Sequence, residues 1–292
     1  MRRRSDRRIA FVGAGAVATA IGRALARKGF EVAFASRSLG SARRAAALAG
    51  GRAFPDPKSA LEGAGVIFLT VPDSAIAQVC ERLARAQSLP RGSVVLHTSG
   101  FHPSSVLAPA RACGAAVASA HPLRSFADPG RTDLRGVLFA LEGDRGALPR
   151  VRALVRRVGG RPVEIRSDRK ALYHAAAAVT SNYTVAIVDL AREILGRAVP
   201  AGGLEPVFRG LLVLLAGTVE NLERVGSPRA LTGPIARGDA GVVRGHLAAL
   251  ARHAPSALPL YRALGLRAVE VARRKGTLRS PAAAEIRALL RP

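Results

Sequence analysis

Residues able to transfer a proton are concentrated in the middle of the chain. His121 stands before a proline, Ser99 lies in the segment LHTSG, and Lys170 and His174 are four positions apart. The pKa of an imidazole lies near neutral pH, so a histidine can serve a reaction in either direction, as acid or as base. His121 is therefore the first candidate for a catalytic acid or base, followed by the pair Lys170 and His174.

A glycine-rich segment near the start of the chain is typical of a dinucleotide-binding turn. In IAFVGAGAVATAIGRALARKG, a short apolar run leads into Gly13-x-Gly15-x-x-Ala18 and then into a helical pattern. The first glycine permits the sharp bend, the second leaves room for a pyrophosphate, and a small third residue lets helix and strand pack closely. The helix N-terminus then faces the phosphates. The cofactor contacts predicted in this turn are Gly13, Ala14, Gly15, Ala16 and Val17.

The same segment also has the arginines, apolar run and small residues of a secretory signal. FEVAFASRS comes next and has the pattern of a second short strand that ends at Ser36. A signal peptide predicts no such strand, whereas a strand-helix-strand unit requires one. The nucleotide-binding interpretation is therefore favoured.

The end of the second strand distinguishes the two nicotinamide dinucleotides. An NAD site needs a carboxylate there, about 20 residues after the glycines, to hold the ribose hydroxyls. This chain has Ser36, Arg37 and Ser38 instead, and Arg43 and Arg44 follow in the next predicted helix. Hydroxyl groups and a guanidinium suit a 2′-phosphate. We therefore predict NADP as the cofactor, with further contacts after a later strand from Val71, Pro72 and Asp73.

Four more apolar segments have strand patterns and would place the candidate side chains at one edge of a sheet. They are GVIFLTVPDSAI, GSVVLHTSG, AAVASAHPLRSF and GVLFALEG, with helical patterns near 41–49, 74–87 and 146–158. Ligands of parallel α/β sheets bind beyond the carboxyl ends of the strands. That edge would collect Pro72, Asp73, His97, Ser99, His121 and Arg124. The predicted fold class is α/β, with a Rossmann-type doubly wound sheet over residues 1–166.

From Ser167 onward the pattern is helical throughout. SDRKALYHAAAAVTSNYTVAIVDLAREILG predicts one unbroken helix from a capping Ser167 or Asp168 to Gly196. Residues 167–292 are therefore predicted to form an all-helical second domain.

Polar residues of this predicted helix fall on one side of it. Lys170, His174 and Ser181 lie within about 40° of one another at 100° per residue, and Asn182 lies at the border of that face. They form a candidate site beside the apolar stripe. An ordinary solvent-facing side is the alternative role for His174.

Composition limits the possible partners. The chain has 292 residues, 49% of them hydrophobic, and a formal charge of +25. The charge comes mostly from arginines spread along the chain, aromatic residues are only 4%, and no basic run is interleaved with stacking residues. We therefore expect no nucleic-acid binding and interpret the start MRRRSDRR as a solvated tail.

Neither a membrane nor a metal is expected as a partner. No stretch has roughly 18 to 20 uninterrupted apolar residues. Cys80 and Cys113 lack metal-ligand spacing, and a disulfide-stapled secreted fold would contain more cysteines. These features predict a soluble, cytoplasmic protein with no metal site.

Seven segments together resemble a group of bacterial Rossmann-like oxidoreductases whose C-terminal helical domain is of unknown function. The segments are the glycine turn, SRS, FLTVPDSAI, LHTSG, SAHPLRSF, YHAAAAVTSNY and ALTGPIARGD. More distantly, the chain is similar to ketopantoate reductase, pyrroline-5-carboxylate reductase, prephenate dehydrogenase and the β-hydroxyacid dehydrogenases. The resemblance implies NAD(P) binding in the first domain and pairing of two subunits through the second.

The resemblance also implies roles for single residues. His121 with Pro122 is similar to a His-Pro pair that contacts the reacting hydroxyl in prephenate dehydrogenases, and Ser99 resembles a serine that lines the same pocket. Lys170 matches a catalytic lysine of the β-hydroxyacid dehydrogenases and ketopantoate reductases. That lysine works with an asparagine one helical turn away, where this chain has His174.

Asn182 is the alternative source of the amide, although a straight helix would place it about 18 Å from Lys170. The candidate catalytic residues are therefore His121, Lys170, His174, Asn182 and Ser99. The sequence does not decide between His121 and the pair Lys170 and His174 as the proton donor.

These observations predict an NADP-dependent oxidoreductase that moves a hydride between NADPH and a small carbonyl or imine substrate. The resemblance favours ketopantoate or another small 2-oxo acid, with Arg124 as the partner of its carboxylate. A non-catalytic protein that senses NADP is the first alternative, and a basic interaction protein is the second.

Two helical segments, LEPVFRGLLVLLAGTVENLERVG and VVRGHLAALARHA, contain more apolar residues than one exposed surface requires. The loop ALTGPIARGD joins them. Burial within the helical domain is one explanation, and contact with a second subunit is the other. The resemblance favours a homodimer, with Arg237 and Asp239 close to the interface or to the neighbouring active site.

Overall fold

A computed structural model describes residues 7–128 and 130–291. Most of the MRRRSDRR segment that we expect to be a solvated tail lies outside the described residues. The chain divides into two compact units, residues 1–180 and 181–292. The division falls after Thr180, beyond the boundary at 166 that the sequence indicated.

The first unit is built on one sheet, in which eight strands of the described residues lie side by side. The strands are β1 (Arg8–Val12), β2 (Glu31–Ala35), β3 (Arg52–Phe54), β4 (Val66–Leu69), β5 (Val94–His97), β6 (Ala116–Pro122), β7 (Leu138–Gly143) and β8 (Arg161–Glu164). Their order is β3-β2-β1-β4-β5-β6-β7-β8, parallel from β3 to β6, with β7 antiparallel to β6 and parallel to β8. The predicted doubly wound α/β sheet is confirmed.

The side chains of the central strands are buried on both faces of the sheet, as a doubly wound fold requires. Along β1, Phe11 belongs to the core on one face and Val12 to the core on the other. Phe11 stacks between Phe34 and Phe68, with ring centroids 5.2 and 4.8 Å apart. This packed sheet fixes where the loops at its carboxyl edge begin.

Seven helices among the described residues belong to the first unit. They are α1 (Ala16–Ala26), α2 (Leu39–Ala49), α3 (Pro57–Leu61), α4 (Ile76–Arg85), α5 (Ala108–Ala112), α6 (Leu148–Arg157) and α7 (Lys170–Thr180). The helices predicted near 41–49, 74–87 and 146–158 correspond to α2, α4 and α6.

The prediction of one unbroken helix to Gly196 is wrong. A 3-10 turn covers Ser167–Arg169, α7 ends at Thr180, and a new helix α8 spans Asn182–Ala198. The Thr180 hydroxyl donates a hydrogen bond to the Ala176 carbonyl oxygen at 3.0 Å, a local contact that often bends helices. The straight-helix distance between Lys170 and Asn182 therefore does not apply.

The second unit is helical in all its described regular structure, as predicted. After α8 it contains α9 (Leu204–Val225), α10 (Pro234–Arg237), α11 (Ala240–His253), α12 (Leu258–Lys275) and α13 (Ser280–Leu290). Its core lies among the later helices and includes Val243, Val269, Ile286 and Leu290. None of the described residues of α8 and α9 is buried. Over the described ranges, no helix has both the length and the apolar character needed to cross a membrane.

Candidate active site

The glycine turn lies at the carboxyl edge of the sheet, between β1 and its neighbours. The Gly13 N–H donates to the Ala35 carbonyl oxygen at 2.8 Å, and the Thr70 hydroxyl donates to the Gly13 carbonyl oxygen at 2.8 Å. Gly13 has a φ of +103°, and a Cβ at this position would overlap the Thr70 carbonyl group. Both the backbone angle and the close approach therefore require glycine.

Gly15, the second glycine of the turn, leaves open space at the N-terminus of α1. Gly15 precedes the first residue of α1, and no heavy atom of the described residues lies within 4 Å of where its Cβ would be. Among the described side chains, none caps this helix N-terminus. Ala18 is fully buried against the sheet. An open helix N-terminus beside a turn without side chains fits the pyrophosphate of a dinucleotide.

Hydroxyl groups and guanidinium groups meet where β2 leads into α2. The Ser38 hydroxyl oxygen accepts a hydrogen bond from the Ser41 N–H at 3.3 Å and so caps α2. The Arg44 guanidinium donates to the Ser41 hydroxyl oxygen at 2.9 Å. The Arg37 side chain is exposed beside them. The sequence did not indicate Ser41, whose role appears only once α2 is formed.

Ser99 connects the ends of β4 and β5. Its hydroxyl donates to the Asp73 carboxylate at 2.7 Å and accepts hydrogen bonds from the N–H groups of Phe101 and His102 at 3.1 and 3.0 Å. Its own N–H donates to His97 Nδ1 at 3.2 Å. These contacts hold Asp73 at the edge and shape the loop that begins at Gly100.

His97 is fully buried, and burial lowers its pKa to about 3. The Nε2 atom lies 3.3 Å from the Pro103 carbonyl oxygen. Because Nδ1 accepts the Ser99 N–H, the hydrogen of the neutral ring resides on Nε2 and donates to Pro103. His97 therefore holds the loop after β5 in place through its contacts with Ser99 and Pro103.

His121 contacts Tyr173 and lies close to His174. Its Nδ1 is 2.9 Å from the Tyr173 hydroxyl, and its ring centroid is 6.1 Å from that of His174. Burial, followed by the charges of His174 and Lys170, lowers the pKa of His121 to about 4. His121 is therefore a neutral imidazole at neutral pH.

Gly100 allows the two imidazole rings to approach each other. A Cβ on Gly100 would lie 2.6 Å from His174 Cδ2 and 3.0 Å from His121 Nε2. A side chain at this position would displace one ring or both. Gly100 and Tyr173 are thus two members of the site that the sequence did not single out.

Lys170 is enclosed in a polar network beneath the edge. Its ammonium pairs with the Glu142 carboxylate at 3.1 Å and donates to the Ser119 hydroxyl, and its side chain is 1% exposed. Glu142 also accepts hydrogen bonds from the Ser104 N–H and hydroxyl, both at 2.7 Å. Burial lowers the pKa of Lys170, and the Glu142 carboxylate opposes that shift. The sequence missed Glu142, Ser104 and Ser119.

The first unit thus brings together His121, His174, Ser99, Asp73 and Lys170. Arg124 is exposed just after β6. Asn182 begins α8 and, like Arg237 and Asp239, belongs to the second unit, where Asp239 caps α11 by accepting a hydrogen bond from the Val242 N–H. Among the described residues, no group of three His, Cys, Asp or Glu side chains could hold a metal ion.

Two protein-family models match parts of the chain. Residues 2–122 match the model of a Rossmann-like domain, and residues 137–268 match a domain of unknown function, DUF2520. No curated protein matches the chain in sequence.

Several solved structures resemble the chain over nearly its whole length. A Bacteroides fragilis protein described as a candidate NADP oxidoreductase is 26% identical with a TM-score of 0.74, and a Thermotoga maritima protein is 28% identical with a TM-score of 0.71. Each match covers 91% of this chain and 99% of the other. The reductive aminase of Aspergillus terreus, in complex with NADPH, cyclohexanone and allyl amine, shares the fold at 18% identity and a TM-score of 0.60, covering 96% of this chain and 98% of the aminase. The chain therefore contains a Rossmann-like domain over residues 2–122 and matches the DUF2520 domain over residues 137–268.

Proposed function

We propose that the protein is an NADP-dependent oxidoreductase acting on a small carbonyl or imine substrate. The observation that carries the proposal is the shared edge of the sheet, where the Gly13 to Gly15 turn follows β1 and His121 lies in β6, with β4 and β5 between them. Parallel α/β sheets bind their ligands at this edge. A cofactor site and a proton-transferring side chain therefore open onto the same crevice.

The residues of the first unit suit NADPH, which would supply the hydride. The N-terminus of α1 would hold the pyrophosphate, and Ser36, Arg37 and Ser38 would hold the 2′-phosphate. Val71, Pro72 and Asp73 follow β4 and would contact the cofactor farther along the edge. The candidate NADP oxidoreductase and the NADPH-bound reductive aminase among the similar structures support this class of cofactor.

His121 would act on the reacting atom of the substrate. A neutral imidazole that carries its hydrogen on the nitrogen facing the substrate donates that proton to a carbonyl oxygen or imine nitrogen in the reduction direction, while its other nitrogen takes up a proton. The same steps run in reverse in the oxidation direction. His174 lies beside it and is the second candidate for this contact. The enclosed ion pair of Lys170 places its ammonium beneath the crevice, which favours His121 over Lys170 as the proton-transferring group.

The favoured substrate is a small 2-oxo acid of the ketopantoate type. Arg124 is exposed after β6, where its guanidinium would pair with a substrate carboxylate. The exposed ring of Phe101, 6.3 Å from His174, would form an apolar wall. An imine is the other substrate class that we propose to test.

We further propose that two copies of the chain form a homodimer through the second unit, with Arg237 and Asp239 near the interface or the neighbouring active site. The uncovered apolar residues of α8 and α9 support this proposal. Cys80 and Cys113 are free thiols, in keeping with a reducing cytoplasm.

The experiment that tests the function combines turnover with cofactor preference. We expect the protein to oxidise NADPH in the presence of a member of a panel of 2-oxo acids and cyclic imines, and to bind NADPH more tightly than NADH. Arg37→Asp should reverse that preference, because a carboxylate repels the 2′-phosphate and accepts ribose hydroxyls. Arg145→Asp makes the same charge change in the turn after β7, whose carboxyl end lies at the opposite edge, and should leave the preference unchanged.

Two outcomes would contradict the proposal. Equal affinity for NADPH and NADH in the unaltered protein would exclude the assignment of NADP. Tight binding of NADPH without turnover of any substrate class would favour the alternative, a non-catalytic protein that senses NADP.

A further inference from the structure

We infer that Tyr173 is a positioning residue, which holds His121 in the tautomer and orientation that present Nε2–H to the substrate. The inference rests on the proposed function for what His121 does. It concerns a side chain to which the sequence patterns assign no role.

The two ring nitrogens of His121 have different surroundings. Nδ1 is 2.9 Å from the Tyr173 hydroxyl, and the rings meet edge to face with centroids 5.7 Å apart and an interplanar angle of 82°. Nε2 has no hydrogen-bond partner among the described residues and is not one of their fully buried polar atoms. It lies against Gly100, a residue without a side chain that could cover it. Nε2 is therefore the nitrogen available to a ligand.

The direction of the hydrogen bond with Tyr173 decides which nitrogen of His121 carries the hydrogen. A neutral imidazole has one N–H donor and one acceptor, and the partner of one nitrogen fixes the state of the other. A phenol hydroxyl that donates to Nδ1 leaves the hydrogen on Nε2. The charged or titratable groups around His121 besides Tyr173 are His174, Lys170 and Asp73, and the structure shows no hydrogen bond from any of them to the ring. Tyr173 is therefore the hydrogen-bonding partner of the ring among the described residues, and we assign its hydroxyl as the donor to Nδ1.

The buried ion pair explains how Tyr173 reaches this position. Lys170 is the first residue of α7 and is fixed to the sheet by Glu142 and Ser119. Tyr173 follows three residues later, about one helical turn, so its side chain projects from nearly the same side of α7. Fixing the start of α7 thus places the phenol beside β6.

The second unit contains a matched control. The Tyr261 hydroxyl lies 2.9 Å from His246 Nδ1, with ring centroids 6.0 Å apart and an interplanar angle of 85°. This pair has the same chemistry and nearly the same geometry, but it lies outside the Rossmann-like unit. Tyr173→Phe and Tyr261→Phe each remove one phenol hydroxyl from a histidine.

The test reads the tautomer directly, without a substrate. In protein labelled with ¹⁵N-histidine, the two ring nitrogens of each histidine give distinct NMR signals according to which carries the hydrogen, and His121→Gln identifies the signals of His121. We expect the Nε2–H form in the unaltered protein and a mixture of both tautomers in Tyr173→Phe. Tyr261→Phe should alter only the signals of His246.

Kinetics supply the second measurement. Tyr173→Phe should lower kcat about tenfold, the effect of losing one hydrogen bond, while the KM for NADPH stays unchanged. Tyr261→Phe should change neither. An unchanged His121 tautomer in Tyr173→Phe would overturn the inference. A changed tautomer in a protein that turns over no substrate would support the role of Tyr173 and contradict the proposed function.

Discussion

At the scale of single residues, burial keeps two histidines of the first unit neutral. The pKa is lowered to about 3 for His97 and to about 4 for His121, whereas an unfolded histidine titrates near 6.5. Between pH 4 and 6.5 the unfolded chain therefore binds more protons at these positions than the folded chain does. By linkage, the free energy of unfolding rises with pH across this window and falls on acidification.

We predict that acidification below pH 6.5 lowers the free energy of unfolding. Each of these two histidines contributes about 1.4 kcal/mol per pH unit to that decrease. Urea denaturation at pH 7.5, 6.5 and 5.5 measures the slope, above the range in which the carboxylates titrate. His97→Gln should reduce the slope, and His253→Gln, at an exposed histidine, is the control. A free energy of unfolding that stays constant over this range would contradict neutral burial.

The residues of the site differ in how far the sequence could indicate them. Gly13, Ser99 and His121 lie in short local patterns at strand ends, so their place in a crevice follows from the sheet. Tyr173 and Glu142 give no local signal, because their partners lie 52 and 28 positions away along the chain. Contacts of this kind arise only when the strands and α7 are packed together.

At the scale of elements, the start of α7 depends on one buried ion pair. Lys170 and Glu142 are 1% and 4% exposed. Removing one partner leaves an uncompensated buried charge, which typically costs about 3–5 kcal/mol, whereas removing both costs less than the sum.

We predict that Lys170→Met and Glu142→Gln each lower the free energy of unfolding by about 3 kcal/mol or more, and that the double variant is more stable than additivity predicts. Urea denaturation measures the cycle. Arg85→Met, which removes one partner of the exposed pair Arg85 and Glu81, should cost about 0.5 kcal/mol or less. If Lys170→Met lost activity while keeping its stability, Lys170 would instead be a residue that acts on the substrate.

The elements themselves were predictable where their patterns were long. Short continuous apolar runs and the turns that bound them indicated β1, β2, β4, β5, β6 and β7. The short strands β3 and β8, with the sequences RAF and RPVE, have too few apolar residues to show a strand period. The break at Ser181 was missed because the apolar stripe continues through it, while Thr180 turns its hydroxyl to its own backbone.

At the scale of the whole molecule, the second unit leaves apolar side chains uncovered. On α8, Tyr183 is 59% and Val185 is 70% exposed, and on α9, Val213 is 73% and Leu214 is 67% exposed. Scattered apolar residues are ordinary on a surface, but several on two contacting helices, none of whose described residues is buried, indicate an interface. Burial within the helical unit accounts for part of the apolar surface, since Val243 and Leu250 of α11 are buried and Leu190 and Ile194 of α8 pack against the core around Leu250.

We propose a second copy of the chain as the partner for this surface, because a symmetric dimer covers the same patch on both subunits. We predict that light scattering gives about twice the chain mass of 30.4 kDa. Val213→Glu together with Leu214→Glu should yield monomers, since two carboxylates would be desolvated at the interface. Leu48→Glu, at an exposed apolar residue of α2 in the first unit, is the control and should leave the dimer intact. A monomer of the unaltered protein at micromolar concentration would refute the prediction, and a dimer that survives both substitutions on α9 would move the interface to another surface.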